Sequence, residues 1–266
     1  YIKPFGLILL RVLGATILFW LISIWGPKER IDIRDWKRII FSALFGMVIN
    51  MLMFFKGLSL STPINGSIII TISPIFVFLM SAFFIKEKIT LRKYLGISLG
   101  FSGALALILF STEIRQDAPN IFLGNILFVV NSISYGIYLI VVKSLTQKYH
   151  PLTLMKWLFL TALIINLPIT LSEFNEVKWA SLPFEAIWKM CFVVVGTTFL
   201  TYLLNVFALR ELKASTVGVF MYLQPPIAIV FAIAMGSDTL NFVKITAGIL
   251  IFIGVYLVSK KTKRLS

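Results

Sequence analysis

Polar side chains recur inside long apolar stretches of this sequence, where they could hold a small solute. Between residues 190 and 209, Thr198, Thr201, Tyr202 and Asn205 follow a three- and four-residue spacing. On a helix this spacing gathers side chains on one face. Hydroxyl and amide groups in an apolar helix either bond to a neighbouring helix or line a cavity. The sequence leaves both uses open.

Other apolar stretches supply further candidates for contact with a solute. Together with the stripe above, the predicted substrate-binding residues are Asn50, Asn65, Thr71, Asn131, Tyr135, Thr198, Tyr202, Asn205, Tyr222, Gln224 and Arg11. Tyr135 is our preferred contact because tyrosine binds through its ring and its hydroxyl together. Arg11 lies inside the first stretch, where an ionised group must be paired, hydrated or directed to the membrane boundary. If it faces a cavity, it could bind a substrate carboxylate through two hydrogen bonds.

Prolines interrupt two of the apolar stretches. "TISPIFVF" contains Pro74, and "YLQPPIAIV" contains Pro225 and Pro226. Proline removes a helical hydrogen bond and frees the carbonyl four residues earlier, which protein or water must then satisfy. We predict that these segments are hinges or walls of a hydrated cavity, with a fixed packing kink as the alternative. Glu87 and Asp238, which follow them, are predicted to form gate or cap salt bridges.

The reactive residues exclude most kinds of catalytic site. Cys191 is the only cysteine and His150 the only histidine. One chain therefore cannot assemble a disulfide framework, a Cys/His zinc site or a Ser-His triad. All eleven acidic residues lie in predicted loops or at the ends of apolar stretches, so we expect no proton- or sodium-coupling carboxylate inside the membrane. We predict no catalytic residue, no metal and no cofactor.

The composition is that of a membrane protein. Hydrophobic residues make up 59% of the 266 residues, against about 45–50% in soluble domains. Runs long enough to cross a bilayer occupy residues 4–25, 39–57, 64–85, 94–112, 121–142, 151–172, 190–209, 214–236 and 239–258. They are continuously apolar rather than alternating, which favours helices over a β-barrel.

Basic residues are distributed unevenly between the predicted loops. Seventeen lysines and arginines fall on one side and six on the other. By the positive-inside rule the richer side is cytoplasmic, which places the tail 259–266 in the cytoplasm of a multi-pass protein of the cytoplasmic membrane. These loops suit anionic lipid, so the net charge of +14 predicts no nucleic-acid partner.

The sequence also contains an internal repeat. An offset of 151 residues aligns Pro74 with Pro225, Glu87 with Asp238 and Gly103 with Gly254. Five crossings separate equivalent positions, so the copies, 1–112 and 121–258, should be inverted. Inverted repeats with matching broken helices are typical of secondary transporters, whose binding site lies between the copies. The odd number of spans predicts a further helix before Tyr1, and a natural nine-helix variant is the alternative.

The runs "KGLSLSTPINGSIIITISPIFVF" and "ALRELKASTVGVFMYLQPPIAIVF", each followed by an acidic residue and a glycine-spaced helix, carry a family resemblance. Over nearly its whole length the chain resembles the drug/metabolite transporter superfamily, specifically its EamA-like members. The resemblance implies an all-α fold of ten helices in two inverted five-helix repeats, cytoplasmic termini, and export or uptake of small metabolites such as amino acids. The departures are Asp238 in place of Glu, Ala247 in place of Gly, and the absent opening helix.

The expected function is therefore a secondary transporter that moves small polar or amphipathic, amino-acid-like metabolites by alternating access, as an exporter or facilitator. A passive channel and a membrane-embedded enzyme are the alternatives. Small residues that permit close helix approach are Gly96, Gly100, Gly103, Gly248 and Gly254. They are expected to pack either within a repeat or at a homodimer face, and the sequence does not separate these two uses.

Overall fold

Helices form every regular element that the structure describes. The computed structural model describes residues 1–88, 90–110, 118–234 and 242–259. Its helices are α1 (Pro4–Ile22), α2 (Trp36–Ala43), α3 (Asn50–Leu60), α4 (Pro63–Ile70), α5 (Ser73–Phe84), α6 (Leu91–Phe110), α7 (Ile121–Thr146), α8 (Pro151–Asn175), α9 (Phe184–Val194), α10 (Thr201–Glu211), α11 (Ala214–Val219), α12 (Gln224–Ala234) and α13 (Phe242–Ser259). The predicted all-α polytopic fold is confirmed.

Five continuous helical segments are long and apolar enough to cross a membrane. They are Pro4–Ile22, Ile33–Leu60, Ile121–Thr146, Pro151–Asn175 and Phe184–Glu211. Two other predicted spans, 64–85 and 214–236, are broken into α4–α5 and α11–α12. Pro74 lies in the first turn of α5, where a backbone N–H has no helical partner in any case. The proline therefore begins a second helix instead of kinking one.

The repeat is visible in the helix boundaries themselves. Helices α3 and α10 begin at residues 50 and 201 and end at residues 60 and 211. Each is preceded by a π-helical stretch, Leu44–Ile49 and Val195–Leu200, again 151 residues apart. π-Helical turns are rare and are frequently found at functional sites. Both copies thus share the same order of helix, π-stretch, helix and proline break.

Glycines bring α6 and α13 into close contact. A Cβ atom added to Gly96 would lie 2.7 Å from the Gly254 carbonyl oxygen, and one added to Gly103 would lie 2.7 Å from that of Ala247. Because Gly96 is equivalent to Ala247 and Gly103 to Gly254, the contacts are reciprocal, as a two-fold axis requires. The described contacts of Gly96, Gly103 and Gly254 therefore join one repeat to the other, so the expectation that they pack within a single repeat is wrong.

Hydrogen bonds bring the basic loops to one end of the bundle. This basic end comprises residues 28–38, 86–88, 90–93, 143–150 and 210–213. The His150 backbone N–H donates to Glu29 Oε2 over 2.8 Å, and Lys148 pairs with Asp35. The hydrogen bond to Asp35 raises the pKa of Lys148 above its ordinary value. At the opposite end, Glu173 Oε2 accepts from the backbone N–H groups of Phe5 and Gly6 in the first turn of α1.

Candidate functional site

A cavity of about 220 Å³ lies between the two repeats, away from both ends of the bundle. It is lined by Arg11, Asn50, Met51, Phe54, Phe55, Ile70, Ser73, Asn131, Tyr135, Tyr202, Met221 and Gln224. Six of these residues belong to the substrate-binding set predicted from the sequence: Arg11, Asn50, Asn131, Tyr135, Tyr202 and Gln224. The fold thus brings together residues from the first, second, fifth, seventh and eighth predicted spans.

Equivalent positions of the two repeats both contribute to the lining of this cavity. Met51 and Tyr202, Ile70 and Met221, and Ser73 and Gln224 are each 151 residues apart, and all six residues line it. A space lined by three such pairs lies on the axis that relates the repeats. Secondary transporters with inverted repeats typically bind their substrates at such an interface between the repeats.

The broken helices contribute directly to the cavity lining. Ile70 and Met221 each precede a proline, Pro74 or Pro225, by four residues. In an uninterrupted helix their carbonyl groups would accept a hydrogen bond from the residue that is proline here. The Met221 carbonyl oxygen instead accepts a hydrogen bond from the Gln224 N–H, and both residues line the cavity.

Arg11 is the charged residue among the described lining residues. Its Nε–H donates to Thr198 Oγ1 over 2.9 Å, and its guanidinium carbon lies 5.5 Å from the centre of the Phe55 ring. Thr198 is fully buried in the π-helical stretch and donates its own hydroxyl hydrogen to the Val193 carbonyl oxygen over 2.8 Å. The described residues offer Arg11 no carboxylate within salt-bridge distance. A positive charge is therefore fixed at the cavity wall.

Two asparagines join α3 to α7 at the cavity. Asn50 Nδ2 donates to the Asn131 main-chain oxygen over 3.2 Å, and Asn131 Nδ2 donates to the Asn50 main-chain oxygen over 2.7 Å. This exchange occupies a donor on each side-chain amide. No described residue donates to the two side-chain oxygens, so these acceptors remain for a solute or water.

Buried aromatic side chains close the cavity towards the basic end. Tyr202 donates its hydroxyl to the Gly46 carbonyl oxygen over 3.0 Å. Tyr138 is fully buried with its ring against Gly46, where a Cβ atom would lie 2.4 Å from the ring. On the other side, the lining residues Phe54 and Phe55 are only half-buried. The closure is therefore firmer towards the basic end.

The remaining predicted residues lie outside the cavity lining. Asn65 Nδ2 donates to Ser61 Oγ over 3.4 Å, and Thr71 Oγ1 donates to the carbonyl oxygen of Ser67, one turn back, over 2.7 Å. Tyr222 is buried against Gly100, and Asn205 is half-buried one turn beyond Tyr202. Thr198 contacts the cavity only through Arg11. Pro226 follows Pro225 in the first turn of α12, and Asp238 lies outside the described residues.

Six lining residues are absent from the predicted substrate-binding set: Met51, Phe54, Phe55, Ile70, Ser73 and Met221. In a chain this apolar, a methionine or phenylalanine gives no signal of its own. The repeat did contain a signal for two of these residues, because the offset of 151 residues aligns Tyr202 with Met51 and Gln224 with Ser73.

Glu87 joins the two repeats at the basic end. It accepts hydrogen bonds from Lys93 Nζ and from Ser215 Oγ. Ser215 lies in the first turn of α11, where the broken segment of the second repeat begins. Lys93 Nζ also donates to Ser215 Oγ over 3.2 Å. The side chains of Glu87 and Lys93 are 7% and 11% exposed, so little water screens this pair.

Known proteins match the chain along nearly its whole length. The family model of the EamA-like transporter family matches residues 1–109 and 122–260. An uncharacterized transporter of Archaeoglobus fulgidus is 26% identical over 98% of this chain and 90% of its own length. A probable terminal-alkyne amino-acid exporter of Streptantibioticus cattleyicolor is 21% identical over 74% of this chain and 64% of its own. One solved crystal structure superposes with a TM-score of 0.80 at 15% identity, over 97% of this chain and 88% of that one. This protein belongs to the EamA-like transporter family.

Proposed function

We propose that this transporter is a carrier that moves small polar or amphipathic, amino-acid-like metabolites across the cytoplasmic membrane by alternating access, as an exporter or facilitator. The cavity on the repeat axis is the observation that carries the proposal. It is lined by equivalent residues of both repeats, so a change in the packing of the repeats would alter access from either side. The name of the Streptantibioticus relative, an amino-acid exporter, agrees with the substrate class.

The size and polarity of the cavity support a small organic solute. A volume of about 220 Å³ suits a metabolite rather than a peptide or a lipid. Its walls combine amide, hydroxyl and guanidinium groups with aromatic rings, a mixture that binds a molecule with one polar and one apolar part. The described lining contains no carboxylate to hold a metal cation or to carry a proton. We therefore propose movement down the solute's own gradient.

The Glu87–Lys93–Ser215 cluster supports a gate at the basic end, which we assign to the cytoplasm. Ser215 belongs to one repeat, whereas Glu87 and Lys93 belong to the other. An offset of 151 residues carries Glu87 to Asp238 and Lys93 to Lys244, but it carries Ser215 to Ile64, which has no hydroxyl. The matching position in the sequence of the first repeat therefore supplies no equivalent hydroxyl. This difference favours a resting state that is closed to the cytoplasm.

Counterflow in proteoliposomes tests the proposed function. Liposomes containing the purified protein and an unlabelled amino acid should accumulate the labelled form transiently, with a rate that saturates. In a carrier, solute bound on the far side helps the binding site to return, and this stimulates uptake of the labelled solute. A channel has no binding site that must return, so it shows no trans-stimulation. Flux that rises linearly with concentration, without trans-stimulation, would indicate a channel. Strict dependence on a pH gradient would overturn the uncoupled mechanism.

A further inference from the structure

We infer that Arg11 binds a carboxylate group of the transported solute and that Thr198 positions the guanidinium for this contact. The inference rests on the proposed function and names its substrate class: small molecules that carry a carboxylate. The sequence alone could not reveal that these two side chains contact each other.

Arg11 has donor groups that the described contacts leave unused. A guanidinium group carries five N–H donors, and the described contacts use only Nε–H, which binds Thr198. The terminal Nη groups form a planar pair of donors that matches the two oxygens of a carboxylate. The Phe55 ring supports one face of the group without neutralising it. Because a cation within a membrane helix is costly without a partner, a bound carboxylate would be strongly favoured.

Thr198 can act towards Arg11 only as an acceptor. Its single hydroxyl hydrogen is donated to the Val193 carbonyl oxygen, five residues earlier, over 2.8 Å. The remaining lone pairs accept Nε–H of Arg11 over 2.9 Å. This chain of carbonyl, hydroxyl and guanidinium fixes the rotation of the guanidinium plane and leaves its Nη edge free. Thr198 is therefore a positioning residue, which acts on the solute through Arg11.

The hydroxyl group that positions Arg11 is present in one repeat only. Both repeats have a π-helical stretch, but the position equivalent to Thr198 is Met47, which donates no hydrogen bond and is at most a weak acceptor. Two acceptors, the side-chain oxygens of Asn50 and Asn131, also line the cavity and would suit an ammonium group. The carboxylate could thus belong to a zwitterionic amino acid or to a simple organic acid, and the probes below separate these sources.

Three matched probe sets test the inference with purified protein in lipid nanodiscs: α-amino acids, their carboxamides, and the same acids without the amino group. We expect calorimetry to show that the carboxylates bind and that the carboxamides do not bind. Arg11→Gln should weaken carboxylate binding about 10- to 150-fold, the range for hydrogen bonds to charged groups. Lys156→Gln is the matched control, because Lys156 is a cation within α8 that stacks on Trp20 and Trp157.

Thr198 has an equally close control on its own helix. Thr197 donates to the same Val193 oxygen over 2.9 Å but is exposed and has no described bond to Arg11. Thr198→Val should raise the KM for carboxylates about three- to tenfold with little change in kcat, Thr198→Ser should restore it, and Thr197→Val should have no effect. Thermal unfolding of each variant establishes that it is folded.

Several results would overturn the inference. Carboxamides that bind as tightly as the acids, a panel in which no carboxylate binds, or equal effects of Thr198→Val and Thr197→Val would each do so. Binding of amino acids alone or of simple acids alone would support it and identify the source. If neutral solutes show saturable counterflow while carboxylates do not bind, the proposed carrier function stands and this inference alone fails.

Discussion

Removing the Ser215 hydroxyl should open the basic end of the transporter. Glu87 accepts from both Lys93 and Ser215, and the Ser215 hydroxyl, which also accepts from Lys93, joins the two repeats in this cluster. A hydrogen bond to a charged group contributes about 1.5–3 kcal/mol. If it forms only when the basic end is closed, Ser215→Ala should shift the equilibrium towards the open state about 10- to 150-fold. A protein closed about 99% of the time would become about 40–90% closed.

Spin labels on either side of the cluster would measure this shift. Lys88 and Lys213 are exposed and belong to different repeats, and Cys191→Ser provides a cysteine-free background. Double electron–electron resonance should show a second, longer distance in Ser215→Ala. Ser144→Ala is the control, because Ser144 is an exposed serine of the basic end that bonds only within its own helix, to the Val141 oxygen. Identical distance distributions in Ser215→Ala and the unmodified protein, with both well folded, would refute the gate.

Further predictions concern packing, the cavity floor and pH. Gly254→Ala would place a Cβ atom 2.5 Å from the Gly96 carbonyl oxygen, so we expect a loss of about 1–3 kcal/mol in the free energy of unfolding. Gly248→Ala is the control and should be nearly neutral, because its added Cβ atom would have no atom within 4 Å. Equal stability of the two variants would contradict the close crossing. Tyr202→Phe loses the bond to Gly46 and should cost about 1 kcal/mol in unfolding titrations; no loss would show the bond to be unimportant. Counterflow should vary less than about twofold between about pH 5.5 and 8.5, since no described lining side chain ordinarily titrates there, and a steep pH profile would argue against this account.

The sequence predicts the architecture well because its signals there are strong. Continuous apolar runs can be satisfied in a bilayer only as helices, so the spans follow from chemistry. Proline removes a helical hydrogen bond, which signals the interruptions at Pro74 and Pro225, although α8 continues through Pro168. The gap-free offset of 151 residues then predicts which boundaries repeat. The matching limits of α3 and α10 have the same origin.

The site is less predictable because helical phase is lost at the π-helical stretches. Even spacing placed Thr198 and Thr201 on one face, yet Thr198 is fully buried and Thr201 is exposed, with its hydroxyl bonded to the Gly196 oxygen. A π-turn contains an additional residue, so side chains after it are rotated relative to the pattern of an α-helix. The contact between Arg11 and Thr198 depends on this rotation and on the packing of α1, neither of which local spacing encodes.

The most direct test is the two-sided accessibility of the cavity. In a Cys191→Ser background, Ser73→Cys and Gln224→Cys place equivalent reporters beside the prolines of the two repeats, and Ile164→Cys is a control that is 65% exposed on the outer surface of α8. We predict that both cavity cysteines react with membrane-impermeant thiol reagents from either side of the membrane and are protected by transported solute, while the control reacts only with lipid-soluble reagents. Cavity cysteines that resist impermeant reagents from both sides, or that behave as the control does, would contradict a carrier built around this cavity.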